Sequence, residues 1–481
     1  MRVAIVHYHL KSGGVTRVIA NALQSLAQRD VDVLVISGEE PESVEAISHA
    51  KIAVVPGLNY RQDSTPGAGK QLYQELCQAA KQHWGRLPDI WHWHNHSLGK
   101  NVHAPDIVQR LAASQDSRLL LQMHDFTEDG RPYNFRCQLN FPYPLYPQAA
   151  HIHYAVLNGR DAAVLSTAGW PSERLHLLPN AVALEELRTE EKPLAKPAGF
   201  DRLFLYPTRA IRRKNLGEIC LHALFADAGT GFATTLLPRN PEWQRIHKDW
   251  QRLAQRLKLP IRFGVGEAHD TSFEQWIHSA QALVTTSIAE GFGLAFLEPY
   301  QMDKPVRGRD LPEITVDFKA NGLELSELYT ECRIPHGLID LGWLRDAVER
   351  SVTNSCAAFG LDPESTLSQS VCDSIADEAG IEFGRLNEKL QQSALGRLYE
   401  SPCLRSQWQP PRLDLPFNPD LQARNKRCIQ THYSLSAYGE RLYKLYSQLE
   451  ASEPAPIESS IDPHALVREF LSPKRYSLLR D

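Results

Sequence analysis

Short apolar runs recur along the first part of the chain. They are separated by stretches whose apolar residues fall three and four positions apart. "RVAIVHY" (2–8), "VDVLVIS" (31–37), "AKIAVVPG" (50–57), "PDIWHWH" (88–94), "RLLLQMHD" (118–125) and "HIHYAVL" (151–157) read as strands. "GGVTRVIANALQSLAQR" (13–29) reads as a glycine loop entering an amphipathic helix, and residues 70–84 and 102–114 also carry helical patterns. Such alternation predicts a parallel sheet with helices on both faces.

The segment "RTEEKPLAKPAGFD" (188–201) is rich in proline and charge, as a linker is. The alternation then restarts. Strands are predicted at "RLFLYPTR", "GFATTLLP", "PIRFGVG" and "ALVTTS", and helices at "KNLGEICLHALFAD", "PEWQRIHKDWQRLAQRLKL" and "FEQWIHSA". The expectation is an α/β chain of two doubly wound domains, 1–190 and 200–430. Residues 335–420 break the pattern: they look helical and irregular, with no clear strand, and the prolines of "SQWQPPRLDLPFNPD" mark a loop. "YSLSAYGERLYKLYSQLE" (433–450) predicts an amphipathic helix, with Leu435, Tyr438, Leu442, Leu445 and Leu449 at steps of three and four. Residues 451–481 read as a polar tail with one short helical patch, "HALVREFL".

Composition narrows the function classes. The chain has 481 residues and a formal net charge of −5, which argues against broad binding to nucleic acid or anionic membranes. Its eight cysteines are scattered, none in C-x-x-C spacing, so reduced thiols in a cytoplasmic setting are expected. No apolar run approaches the roughly 18 to 20 residues of a membrane span, and the first apolar run is too short for a signal-peptide core. Membrane contact, if made, would be peripheral.

In open parallel sheets ligands sit outside the carboxyl ends of the strands. Four predicted loops there carry chemistry. In "KSGGVTR", Gly13 and Gly14 open a helix, where bare backbone N–H groups and roughly half a positive charge suit an anion; a plain tight turn explains them equally. In "PTRAIRRKNL", Arg209 ends a strand and Lys214 begins a helix, and both suit phosphate oxygens. Arg212 and Arg213 read as a solvated basic loop. In "LQMHDF", His124 and Asp125 end a strand. In "AEGFGLAFLE", Glu290 precedes a glycine turn and Glu298 lies eight positions on, in a helix expected to start near Gly293. Their separation, about 10 Å or more, suits two hydroxylated ends of one long ligand with an anion between them. A nucleotide sugar has that layout.

Taken with "LPNAV" (178–182), "DKPVRGRDLPEI" (303–314) and "HYSLSAYGERLYKLY" (432–446), these motifs resemble the retaining nucleotide-sugar glycosyltransferases of the GT-B fold, glycosyltransferase family 4 in particular. The resemblance spans residues 1 to about 320 and 425–450. It implies two Rossmann-like domains facing across a cleft, with the helix 433–450 crossing back to the N-terminal, acceptor-side domain. It implies that Glu298 holds ribose hydroxyls. Glu290 would hold the donor sugar, helped by the backbone at Gly291, Phe292 and Gly293, with Leu294 alongside. Arg209 and Lys214 would neutralise the diphosphate, Gly13 and Gly14 would close over it, and His124 would contact the sugar near its anomeric carbon. The implied activity is transfer of a hexose from a UDP- or GDP-linked donor to a hydroxyl acceptor, without an essential metal or cofactor.

Pro299 stands where the family has alanine, so the helix at Glu298 is expected to be short or kinked. Arg307 and Arg309 replace small residues; a phosphate contact and an internal salt bridge both fit them. Residues 335–420 have no counterpart in the family. His92, His94 and His96 have the spacing of one strand face, but packing or acceptor contact accounts for them without a metal. "GAGKQ" (67–71) lacks the spacing of a phosphate-binding loop. A disaccharide phosphorylase on the same scaffold, and a non-catalytic sugar-binding protein, are the rival readings.

Overall fold

The computed structural model describes residues 1–42, 47, 50–63, 65–114, 116–140, 143–182, 192–195, 197–268 and 270–479. Of the linker expected over 188–201, residues 188–191 and 196 lie outside the described residues. The chain divides into two compact units.

The first unit comprises Met1–Ala183, Ala358–Leu361 and Gln430–Phe470. Its sheet has seven parallel strands: β1 (Arg2–His7), β2 (Asp32–Ser37), β3 (Lys51–Val54), β4 (Ile90–His94), β5 (Arg118–Met123), β6 (Ile152–Val156) and β7 (Leu175–Leu177). Their order is β3-β2-β1-β4-β5-β6-β7. Side chains along β1 alternate between two buried layers. Val3 and Ile5 join the layer with helices Gly14–Leu26 and Leu435–Glu450, while Ala4 and Val6 join the layer with Trp91, Trp93 and Tyr154.

Ser434 caps the helix Leu435–Glu450 by accepting from the Ala437 N–H. The helix buries Tyr438, Leu442, Leu445, Tyr446 and Leu449, each large side chain contributing about 1.5–3 kcal/mol. Residues 451–470 depart from the expected polar tail. Ser459–Ser460 pairs with Pro147–Gln148, and helix Pro463–Phe470 buries Leu466 and Phe470 against this unit's core, with Phe470 on Phe126. A few apolar side chains in a polar stretch were enough to anchor it.

The second unit comprises Leu184–Ala357, Asp362–Ile429 and Leu471–Asp481. Its parallel sheet contains β8 (Arg202–Arg209), β9 (Thr230–Leu236), β10 (Ile261–Arg262), β11 (Ala282–Thr285), β12 (Val306–Arg309) and β13 (Leu328–Tyr329), in the order β10-β9-β8-β11-β12-β13. Residues 335–420 are mainly helical, but they also complete a small antiparallel sheet, contrary to the sequence reading. Arg333–Ile334 and Ala376–Asp377 flank Gly380–Glu382. Strands of two or three residues carry no periodic signal.

This segment is fastened to the main sheet by charge and amide contacts. Glu382 reaches Arg309, the last residue of β12, at 2.6 Å, and Gln391 donates to Asn215 Oδ1 at 2.9 Å. Glu388 takes Arg212 in a two-pronged ion pair at 2.7 and 3.0 Å. Arg212 is therefore not part of a solvated loop. Arg307 and Arg309 form internal salt bridges, the first with Glu327 and the second with Glu218 and Glu382. Those pairings take up both guanidinium groups within the protein.

Candidate functional sites on the two units

In the second unit the loops after β8 and β11 are locked together. The Lys214 carbonyl accepts from Tyr206 Oη at 3.2 Å and from Thr286 Oγ1 at 3.0 Å. The Ile288 N–H donates to the Arg213 carbonyl at 2.9 Å, and Tyr206 Oη lies 2.7 Å from Ser287 Oγ. This lattice holds Lys214 Nζ on Glu290 Oε1. Burial alone would raise the Glu290 carboxyl. Lys214 and then Arg213 outweigh it and hold the group below its ordinary value. Arg213 is half-buried and its Nε has no hydrogen-bond partner. Arg209 ends β8 and donates to the Leu237 carbonyl at 2.8 Å.

The glycine turn beyond Glu290 is compact. Gly293 has φ 96°, and a Cβ there would stand 2.9 Å from Ile314 Cγ2 and 3.0 Å from Phe296 Cδ2. Only glycine meets both conditions without strain. The helix expected from Gly293 is instead a 3-10 turn, Leu294–Phe296, followed by the four-residue helix Glu298–Gln301. Four residues carry little dipole, so the expected anion-facing helix end is absent here. Asp303 at φ 53° closes the segment. Glu298 is half-buried on its first turn, and Phe292 is buried against Phe318.

In the first unit the ends of β1, β4 and β5 carry histidines. His124 follows β5 and is 8% exposed. Asn95, in the left-handed region at φ 57°, accepts from the His124 N–H at 2.7 Å and from the Asp125 N–H at 3.3 Å. His124 Nε2 lies 2.8 Å from His94 Nδ1, and the two rings meet edge to edge with their planes 19° apart. His92 stacks on His94 with ring centroids 4.4 Å apart and bonds Tyr446 Oη at 2.7 Å and Gln122 Oε1 at 2.9 Å. Burial pushes the imidazoles of His7 and His124 down to about 3 and that of His92 to about 4. His96 turns to the Leu145 carbonyl at 2.8 Å. Among the described residues no group of three or more His, Cys, Asp or Glu side chains could hold a metal ion. Gly13 caps and Gly14 opens the helix after β1, and a Cβ on Gly14 would meet no atom within 4 Å.

Comparison with known proteins bears on the whole chain. No protein-family profile matches it. The chain is 27% identical over 341 residues to the mannosylglucosyl-3-phosphoglycerate synthase of Petrotoga mobilis, a match that spans 66% of each protein. Two similar solved structures are Anabaena HepE in complex with UDP and glucose, and the catalytic domain of Arabidopsis thaliana starch synthase IV bound to ADP and acarbose. The first has a TM-score of 0.54 at 13% identity and covers 93% of this chain and 99% of its own. The second has a TM-score of 0.54 at 13% identity, with 94% and 99% covered. The chain has the GT-B fold.

Within this GT-B chain the second unit brings Lys214, Arg213 and Glu290 together and sets Arg209 at the end of the neighbouring strand. Two residues escaped the sequence reading. Nothing in "RRK" ranks Arg213 above its neighbours, since only the fold shows which cation turns toward Glu290. His94 had a signal in its spacing from His92, but not in its partner His124, 30 positions on. All eight cysteines are free, and no helix among the described residues is long and apolar enough to cross a membrane.

Proposed function

We propose that the protein is a retaining glycosyltransferase that moves a hexose from a UDP- or GDP-linked donor to a hydroxyl acceptor. The observation that carries this reading is the cation-lined carboxylate at the strand ends of the second unit. Lys214 and Arg213 outweigh the burial of Glu290 and keep it ionised. An ionised carboxylate accepts from sugar hydroxyls, and the cations beside it suit the diphosphate attached to that sugar. Arg209 adds a second diphosphate contact, Gly13 and Gly14 a backbone one, and Gly291 to Leu294 line the sugar. Glu298 holds the ribose and His124 contacts the transferred sugar.

In the transfer, the bond from the anomeric carbon to the diphosphate oxygen breaks. A bond to the acceptor oxygen forms on the same face. The acceptor proton leaves with the diphosphate oxygen, so the protein orients the partners and stabilises charge. The name of the Petrotoga relative describes a mannosyl–glucosyl conjugate of 3-phosphoglycerate, which makes GDP-mannose and a glucosyl-3-phosphoglycerate the first pair to try.

The test joins product analysis with a panel of nucleotide sugars to calorimetry of Glu298→Ala. Loss of two charge-assisted bonds to the ribose should weaken nucleotide binding by about 1.5–3 kcal/mol each. Unchanged affinity in a folded variant removes Glu298 from the site. Sugar release that needs inorganic phosphate instead of a nucleotide sugar would convert the reading to a phosphorylase.

A further inference from the structure

His124 and His94 are joined by one hydrogen bond, and its direction fixes what His124 offers to a ligand. A neutral imidazole has one N–H and one lone pair. His94 Nδ1 and His124 Nε2 lie 2.8 Å apart, so one donates and the other accepts. His94 is fully buried, and its Nε2 has no hydrogen-bond partner. If His124 Nε2 were the donor, the proton of His94 would sit on that Nε2, and an N–H would be buried without an acceptor. If His94 Nδ1 is the donor, only a lone pair is left unmet. Orphaned buried N–H groups are the rarer and costlier defect.

Neighbouring contacts agree. His92 is already satisfied on both nitrogens by Tyr446 and Gln122 and competes for neither atom. The Asn95 side chain accepts from the His124 backbone N–H and so holds the strand end that carries the ring. We propose that His94 is a positioning residue that locks His124 in the Nδ1–H tautomer, so that His124 presents a neutral hydrogen-bond donor to an oxygen of the sugar. This rests on the reading of His124 as a sugar contact. A neutral donor grips a hydroxyl or ring-substituent oxygen without adding positive charge beside an anomeric carbon that itself becomes positive as its bond breaks. Depressed basicity of both rings keeps that donor neutral through the physiological range.

The test is nitrogen NMR of the full-length, ligand-free protein labelled at histidine, with the His124 signals assigned by their loss in His124→Gln. The expected spectrum has the His124 proton on Nδ1. In His94→Leu the donor is gone and the proton should move at least partly to Nε2. Kinetics on the same variants should show kcat reduced about ten- to hundredfold in His94→Leu, with KM for the donor within about threefold. His94→Asn, which keeps an amide donor near the Nδ1 position, should recover most of the turnover. A wild-type His124 protonated on Nε2, or a tautomer unmoved in His94→Leu, overturns the proposal; should His94→Leu not fold, the wild-type and His94→Asn spectra still decide. Because the tautomer is read without substrate, a correct tautomer in a protein that transfers no sugar refutes the transferase reading and leaves the assignment of His94 standing.

Discussion

The strand ends of the two units are built on one topology and opposite electrostatics. In the first unit the polar side chains behind β4 and β5 are neutral imidazoles in contact with one another, with Tyr446 and Gln122 closing the hydrogen bonds. In the second they are full charges set against opposite charges: Lys214 with Glu290, Arg212 with Glu388, and Arg309 between Glu218 and Glu382. An unpaired charge in an apolar interior is prohibitive, and there are two ways to avoid it. One is to bury a group that can discard its proton. The other is to bury both signs together. The first leaves donors and acceptors without net charge, which suits a sugar hydroxyl. The second keeps charge at hand, which suits a phosphate.

Acidification should separate the two most strongly. The folded histidines stay neutral down to about 4 for His92 and about 3 for His7 and His124, while the unfolded chain protonates near the ordinary 6.5. Electrostatic pressure on His7 and His94 comes from other histidines, with no carboxylate to retain a proton. Below pH 6.5 the unfolded state binds more protons, so stability falls with pH. Each buried histidine costs up to about 2 kcal/mol between pH 7 and 5. Glu290 has its value depressed below 4.5, so its contribution is intact above pH 4.5 and fades only below. His222, at about 3, gives the second unit a smaller share of the same effect. Hydrogen exchange at pH 7 and 5, corrected for intrinsic rates, should show protection lost first in β1, β4 and β5. Earlier loosening of β8 and β11 would break the contrast.

Next in size is Arg309→Ala. The Glu218 side chain is 0% exposed and that of Glu382 3%, and both lose their counter-charge together. Breaking a buried ion network by one partner costs about 3–5 kcal/mol. Denaturant titration should find that loss in the second unit. Replacing Arg309, Glu218 and Glu382 together by apolar residues of similar volume should restore part of it, since the uncompensated charge is removed while the donors of Asn215, Tyr329, Cys332 and Gly384 lose their acceptors. If the triple variant is no better than the single one, specific geometry rather than charge balance holds this region.

These contacts also mark where the sequence is readable. Strands such as 2–8 and 118–125 announce themselves because short apolar runs, Val3–Val6 and Leu119–Leu121, bounded by polar residues fit few other environments. The helix at Leu435–Glu450 is equally plain, since its buried residues repeat at three and four. The strand Gly380–Glu382 is invisible because three residues have no period. At the candidate site, Glu290 and Lys214 stand out by motif, yet their pairing joins positions 76 apart, and Arg309 finds Glu218 across 91. Residue type says that Arg309 needs an anion; only the packed structure says that a carboxylate of the same chain supplies it. The short helix at Glu298 was foreshadowed by Pro299, but its end at the left-handed Asp303 was not.

The smallest expected effect is that of Tyr446→Phe, and it sharpens the comparison most finely. Tyr446 Oη bonds His92 Nδ1 at 2.7 Å, and the ring itself is fully buried against β1 and β4. Phenylalanine keeps the ring and its packing, so the loss is confined to one hydrogen bond. Since His92 Nε2 faces Gln122 Oε1 at 2.9 Å, the proton of His92 belongs on Nε2, and the bare Nδ1 is left as a buried acceptor. Losing a neutral bond of this kind costs about 1–1.5 kcal/mol. His92 touches His94 only by stacking, so the bond from His94 to His124 is untouched and turnover should stay within about twofold of wild type. A melting temperature lowered by a few degrees with unchanged kcat is the expected pair of results. A fall in kcat as large as that of His94→Leu would mean that the imidazoles act as one hydrogen-bonded unit, in which the orientation of each ring depends on all the others.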